Sequence, residues 1–510
     1  MKCLYTIIFI SLSFCLEAQR QDYIWQLGNG RGPEVQTMEV NFNKGPFDIE
    51  IQTTPVGFLH NNLALCDSDG ELLFYTNGCA ILNREHEIMP NGHRMNWDSL
   101  FTAITGWNED CASGYPTIQN ILILDDPGNQ AGYFILHKTL SFFDDLETKV
   151  SLRYSYVDLE LEDGLGDVTV ADVPVEGLED LISSNLTAMR HANGEDWWII
   201  QPSVDDSVYY QLLIDENGIH RMNDQNSGLF FDRLLSSAGG NARFSPDGSK
   251  YVFFNPEDNL YLYDFDRQTG LFSNRQFVKV FEPLNNPFSG RFGFVEWSSN
   301  SRFLYVVDLD TLYQLDTWEA DIQNDGIQLI DIYNGTLDPF TTSFYKMSLA
   351  PDCRIYMCST NGSNSYHVIN NPNELGTDCD FVQNGIKLPQ PAGSANIPLH
   401  PRWRVDEEEA CDKRIVSVFG LDVYYRKELK AYPNPTIGPV TIELPIGFVR
   451  GSCEIYNLQG QLMQRTEIDS RIDEFEINLG SLLSGFYNVE VYPSDRADRV
   501  YYSQQVIKVD

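Results

Sequence analysis

The stretch "NARFSPDGSKYVFFN" (241–255), followed by "NLYLYDFD" (259–266), runs extended, turns tightly, returns and turns again. Its Val, Phe, Tyr and Leu suit the pleated, half-buried surface of a strand. Ser245, Pro246, Asp247 and Gly248 are contiguous. They bring together a fixed φ, a side-chain acceptor and a glycine, which is what a hairpin turn requires. The theme returns five times: "ALCDSDGELLFYTNG" (64–78), "ILILDDPGNQAGYFILHK" (121–138), "LTAMRHANGEDWWIIQP" (186–202), "FVEWSSNSRFLYVVD" (294–308) and "KMSLAPDCRIYMCST" (346–360). Each is followed by a further extended run, such as "TLYQLDT" (311–317). Helical periodicity is nearly absent, and the best helix candidate is the short stretch Gly177 to Asn185.

The six units start roughly 45 to 65 residues apart, the period of four-strand blades with loop insertions. One such unit cannot bury both faces, whereas a closed ring of them buries the faces and protects the edges. The predicted fold class is therefore all-β: a β-propeller over residues 19–405, with seven blades favoured and six possible. The seventh would combine strands before residue 60 ("DYIWQLGNG", "VQTMEVNF") with strands near 381–404 ("DFVQNGIKL", "HPRWRV") and clasp the ring shut.

Composition excludes several partners. Of 510 residues, 73 are acidic and 35 basic, a net charge of −38. A field of that sign repels phosphate backbones and anionic membrane surfaces, so no nucleic-acid partner is expected. Hydrophobic residues at 42% and aromatics at 13% supply ample core and argue against disorder. Residues 1–18 have Lys2, an apolar run from Leu4 to Leu16, and Ala18 before Gln19, the pattern of a cleaved secretory signal peptide. No later stretch reaches the length of a transmembrane helix.

Beyond the signal, eight cysteines remain. An even number in an exported chain permits disulfides, but eight cysteines allow about a hundred pairings. The pairs suggested are Cys66 with Cys79, across one hairpin, and Cys358 with Cys379. No CxxC pair points to zinc.

Asp406 to Glu409 opens a boundary, and 406–427 read as a linker. Residues 428–510 carry alternating strands in "ELKAYPNPTIGPVTIELP" (428–445), "CEIYNLQGQLMQR" (453–465), "FEINLGSLLSGFYNVEVY" (475–492) and "YYSQQVIKVD" (501–510). They predict a small immunoglobulin-like β-sandwich.

Two resemblances follow from these residues. "FSPDGSKYVFFN" (244–255) is similar to the SPDG hairpin of WD-like propellers. "SDGELLFYTNG", "LNREHEIMPNG" (82–92) and "NNPNELGTDCDF" (370–381) resemble propeller domains of exported Bacteroidetes proteins. Residues 428–510 resemble the type A sorting domain of the type IX secretion system, through "YPNPTIG" (432–438), "IYNLQGQ" (455–461), "LLSGFYNVEV" (482–491) and the terminal strand. The motif positions are Pro433, Asn434, Pro435, Gly438, Gly460, Gly485 and Tyr487. The resemblance implies the type IX machinery as a partner, passage across the outer membrane and a secreted or cell-surface destination.

Chemistry is harder to read. The sequence has no GxSxG elbow, no HExxH helix and no phosphate-cradling glycine loop. Eight histidines are scattered singly, and only His86 and His93 lie close enough to inspect for a metal. "DSDGE" (67–71) begins like a calcium loop but is equally what a tight turn needs. "DLELEDGLGD" (158–167) offers Asp158, Glu160, Glu162, Asp163 and Asp167 as calcium candidates; a solvated loop is the competing reading. No other cofactor is expected. Trp97, Trp107 and Tyr115, in the long connection 90–117, are candidates for stacking on sugar rings. Two functions compete: a surface binding protein for a glycan or a protein, and an exported hydrolase acting on polysaccharide or peptide. The hydrolase would need a pair of perturbed carboxylates or histidines at the channel mouth.

Overall fold

The structure is a computed structural model. It describes residues 19–509 apart from 29–33, 59, 94, 97–113, 116, 143–147, 180, 205–206, 227–239, 257–258, 283–291, 394, 406–424, 445–447, 449, 458–461, 469–473 and 494–499. The signal segment 1–18 lies outside the described residues.

Seven antiparallel sheets follow one another over residues 24–54, 63–83, 121–174, 187–226, 241–278, 293–332 and 347–387. In the fifth, Asn241–Phe244, Lys250–Asn255, Asn259–Asp266 and Leu271–Val278 pair in chain order, with Asn241 opposite Phe254 and Phe254 opposite Leu260. Gly248, at φ +70°, turns the first hairpin; a Cβ there would meet Arg267 Cδ at 2.6 Å and Met189 Sδ at 2.9 Å. Each of the six repeated stretches forms the first hairpin of a blade, from the second to the seventh.

The first strands of neighbouring blades lie side by side around the centre. The ring closes where the seventh blade meets the first. Trp25, Phe42 and Phe47 pack there against Tyr356, and Phe47 also against Tyr366, with the Phe47 and Tyr356 centroids 4.3 Å apart. The adjacent Trp197 and Trp198 point to opposite faces, as strand geometry requires. Trp197 joins the core shared with the third blade, and Trp198 the core shared with the fifth.

Closure differs from the expectation. The three strands Ile24–Leu27, Val35–Asn41 and Ile49–Thr54 make the first blade by themselves. Phe381–Lys387 is the outer strand of the seventh blade and takes no part in the first. Residues 395–405, which include "HPRWRV" (400–405), do return to the N-terminal end, but through side chains. Asn396 Oδ1 accepts from Gly28 N at 2.7 Å, and Arg404 pairs with Asp22 at 2.5 and 2.7 Å.

The helix expected over 177–185 does not form. Leu178, Leu181 and Ile182 have helical spacing and are buried, yet their amides bond to Val175 O, Val150 O and Pro202 O, two of them on neighbouring strands. Tertiary packing overrides the local pattern here.

Both suggested disulfides are corrected. Cys66, Cys358 and Cys379 are buried free thiols, as is Cys453. Cys66 lies opposite Leu72 at one end of its hairpin, whereas Cys79 follows Thr76, which lies opposite Leu63 at the other. Three residues of strand span roughly 10 Å, beyond the reach of a disulfide. Cys358 packs toward the first blade and Cys379 toward the sixth, on opposite faces of their sheet. Cys79 and Cys353 are not among the free thiols.

Residues 425–509 form two facing sheets. One orders Tyr425–Glu428, Val500–Lys508, Gly485–Pro493, Gly451–Asn457 and Leu462–Ile468; the other orders Lys430–Tyr432, Pro439–Glu443 and Glu474–Asn478. Val440, Ile442, Val489, Val491 and Val506 fill the space between them. Tyr425–Glu428 pairs in parallel with the terminal strand.

Three buried histidines couple the propeller to pH. Burial pushes His137 down to about 3, and His367 and His400 down to about 4. His367 is fixed as the neutral ring: Asn384 N donates to Nδ1 at 3.0 Å, so Nε2–H donates to Thr342 O at 2.7 Å. All three folded values lie below the unfolded one of about 6.5. Their contribution is therefore fully present above pH ~6.5 and is lost as pH falls toward 4, because only the unfolded chain takes up those protons. Unfolding midpoints should fall steeply through this window, and His367→Gln should flatten the slope by about 1.4 kcal/mol per pH unit. An unchanged slope would remove His367 from the account. The four buried thiols should be silent to a thiol reagent in the native protein and react after unfolding without reductant.

Candidate functional site

Connections between blades enter the first strand of each blade, so they cluster on one face of the ring. The hairpin turns at the far ends of those strands make the opposite face. The face on which the blades are joined is the loop face.

The channel between the faces is filled by the chain itself. After the last blade, residues 395–405 cross it and touch blade after blade. Lys346 Nζ donates to Ala395 O at 3.2 Å, and Tyr366 Oη to Asn396 O at 2.7 Å. Asn396 Nδ2 donates to Phe58 O at 3.2 Å, and Arg243 Nη1 to His400 O at 2.9 Å. Met189 bridges Arg402 in parallel. Trp403 meets Trp197 edge to face at 5.1 Å, with Arg190 stacked 3.9 Å above Trp197.

The charged groups along this segment are paired. Glu296, with no exposed surface, accepts from Arg243 Nη2 at 2.8 Å, from Arg402, and from Trp297 N at 2.7 Å. Burial alone would raise Glu296, but the two guanidiniums bring it below the ordinary carboxylate value. Asp22 is brought down in the same way by Arg404. Both carboxylates therefore stay ionised, and neither has the raised pKa that a glycosidase acid needs. Arg402, desolvated and beside Arg243, falls to about 10.

A serine and a histidine do meet elsewhere. His137 Nε2 lies 3.3 Å from Ser155 Oγ, and Nδ1 lies 2.6 Å from Asn96 Oδ1. The order resembles a hydrolytic triad. Ser155 and His137 are both buried, however, and Ser155 Oγ already accepts from Asp172 N at 3.1 Å. The arrangement locks the third blade and offers no reachable nucleophile.

The acidic candidates sit in hairpin turns. Asp158 ends one strand of the third blade and Asp167 begins the next, directly opposite. Asp158 Oδ1 accepts from Glu160 N, and Asp167 Oδ1 from Asn91 Nδ2. Glu162 and Asp163 lie in the short 3₁₀ turn between them. Among the described residues no three of Asp, Glu, His and Cys converge as metal ligands. Asp67 Oδ1 closes its own turn by accepting from Asp69 N and Glu71 N. His86 Nδ1 lies 3.2 Å from Tyr75 Oη, and His93 is exposed.

Tyr115 is core: its Oη accepts from Leu140 N at 2.8 Å and it has no exposed surface. Trp97 and Trp107 lie outside the described residues. What sequence reasoning missed is the channel segment. Its only signal was the density of charge and aromatics in "HPRWRV", which an outward-facing loop would not need.

In the sandwich, the predicted motif holds the terminal strand. Between Pro433 and Pro435, Asn434 Nδ2 donates to Gln505 O at 2.7 Å and Oδ1 accepts from Ile507 N at 2.8 Å, a side chain doing what a paired backbone would. Gly438 O accepts from Leu479 N, and a Cβ on Gly438 would lie 3.0 Å from Asn478 Oδ1. Tyr487 Oη donates to Leu483 O at 2.8 Å, and Gly485 begins the strand that carries it. Gly460 lies outside the described residues.

Among solved structures, the chain is similar to the periplasmic gluconolactonase PpgL of Pseudomonas aeruginosa, at 12% identity and a TM-score of 0.35, covering 89% of this chain and 99% of that one. It is similar to the β-propeller domain of Cps50 (Swd1) from Myceliophteria thermophila at 10% identity and TM-score 0.29, covering 77% and 97%. A protein of unknown function from Desulfotomaculum acetoxidans gives 10% identity and TM-score 0.30, covering 70% and 99%. At these values none of them bears on activity. No curated protein sequence matches the chain. Among the described residues no helix is long and apolar enough to cross a membrane. Residues 430–507 match the secretion system C-terminal sorting domain, which makes the chain a type IX cargo bound for the cell surface or the surroundings.

Proposed function

We propose that the chain is a surface-delivered binding protein whose propeller presents a recognition surface to a glycan or a protein, in a cell of the Bacteroidetes type. Residues 1–18 serve as the signal for the first membrane crossing, and the C-terminal sandwich directs the second. The observation that carries this reading is the channel. Its carboxylates are held ionised by guanidiniums, and its bore is occupied by residues 395–405. A hydrolase built on this scaffold would need an open bore with a proton donor poised near neutral pH. With the bore filled, recognition falls to the loop face, since connections carried by a rigid scaffold are where binding residues concentrate.

Two measurements test this. Deletion of residues 428–510 should leave the protein in the periplasm; ordinary surface display of the truncated chain would overturn the delivery claim. The mature chain, titrated with polysaccharides, oligosaccharides and peptides, should show a saturable rise in unfolding temperature with its ligand class and leave that ligand uncleaved. Cleavage at enzymatic rates would replace the binding reading with the hydrolase one.

A further inference from the structure

The end of the channel nearest the hairpin turns holds a small polar cavity. Arg243, His400, Arg402 and Trp403 line it, together with Pro246 of the first turn in the fifth blade. Its free volume is about 20 Å³, the room that one water molecule needs.

Three of the lining residues bring a buried side-chain nitrogen without a hydrogen-bond partner: Arg243 Nε, His400 Nε2 and Trp403 Nε1. All three residues are more than nine-tenths buried. The rest of the Arg243 fork is in use, with Nη1 on His400 O at 2.9 Å and Nη2 on Glu296 Oε2 at 2.8 Å, so Nε is the atom left over. Buried polar groups left unbonded are destabilising and rare, so three around one cavity call for a common partner.

The chemistry of the three atoms decides what that partner is. Arg243 Nε and Trp403 Nε1 can only donate, which excludes a cation. The volume excludes a polyatomic anion or an organic hydroxyl. A water fits if the two N–H groups take its lone pairs and one of its own hydrogens goes to an acceptor. His400 Nε2 is that acceptor when the ring is neutral and carries its proton on Nδ1. Burial first, and then the nearby Arg243, Arg404 and Lys346, hold His400 neutral against the pull of Asp22, down to about 4.

We propose that this cavity binds one structural water, which accepts from Arg243 Nε and Trp403 Nε1 and donates to His400 Nε2, fixing His400 as the Nδ1–H tautomer. Arg243 belongs to the first strand of the fifth blade, whereas His400 and Trp403 belong to the segment that crosses the channel. The water therefore ties blade to segment and completes the seal at this end, since a bridging water is nearly as good as a direct bond. It also opposes protonation of the ring. A proton on His400 Nε2 would turn a third donor toward an oxygen that has only two lone pairs. The cavity lies away from the loop face, so it stands or falls independently of the ligand proposed there.

The test is a crystal structure of the full mature chain near neutral pH, at a resolution that places waters, paired with nitrogen-15 spectra of the histidine-labelled protein. The expected result is an ordered water within roughly 2.7–3.2 Å of all three nitrogens. The spectra should show a His400 Nε2 without a proton, assigned as the resonance lost in His400→Gln. Trp403→Phe keeps an aromatic ring against Trp197 and removes the N–H, and its crystal structure should lack the water. A dry cavity in the wild type overturns the proposal, as does an ion or a larger molecule in it. So does a proton on His400 Nε2. A water that keeps its place and occupancy in Trp403→Phe takes Trp403 out of the bridge and overturns the proposal as well. Should that variant fail to fold, the wild-type density and tautomer decide alone.

Discussion

Everything central in this propeller depends on one buried triad, Arg243–Glu296–Arg402. Glu296 comes from the first strand of the sixth blade and Arg243 from that of the fifth, whereas Arg402 comes from the segment that crosses the channel. Removing Glu296 would leave two guanidiniums without compensation in the interior, at a cost of roughly 3–5 kcal/mol. The triad therefore does more than tie two blades. It fixes the path of residues 395–405, and that path in turn places Trp403 on Trp197 and Arg404 on Asp22.

This explains how the ring stays shut without a shared strand. A propeller must prevent its first and last blades from parting, and a sheet built from both chain ends is one solution. Here the first blade is complete in itself, and two other devices close the seam. One is the aromatic cluster of Trp25, Phe42 and Phe47 against Tyr356 and Tyr366. The other is the channel segment, pinned at both ends to the first blade by Asn396–Gly28 and Arg404–Asp22. The two act on different parts of the seam, one within the blades and one on the axis.

How much was legible beforehand follows from the range of each interaction. The hairpins were readable because their causes are local: alternating apolar residues and turns such as Ser245 to Gly248. The sorting motif was readable for the same reason, since Asn434 and Gly438 act within one small sandwich. The helix at 177–185 was misread because Leu178, Leu181 and Ile182 carry a helical spacing that neighbouring strands exploit instead. The cysteine pairs were misread because closeness in sequence across a hairpin says nothing about which end, or which face, each residue occupies. The role of "HPRWRV" was hidden because its partners, Asp22, Arg243 and Glu296, are spread over most of the chain and become neighbours only once the ring has formed.

The electrostatics of the molecule then divide by depth. The surface carries most of a large negative charge, which favours solubility outside the cell and repels other anionic polymers. Along the axis, a segment rich in arginine had to be taken out of water, and the buried carboxylates Glu296 and Asp22 meet it. Guanidinium is the cation best suited to that position, since it is weakly hydrated and its planar fork can satisfy two acceptors at once. A lysine at 402 would offer a point charge in place of the fork and would lose the bond that Arg402 Nε makes to Phe244 O while the same side chain holds Glu296. The geometry of the triad thus selects arginine at this position, and with it the path by which residues 395–405 seal the channel.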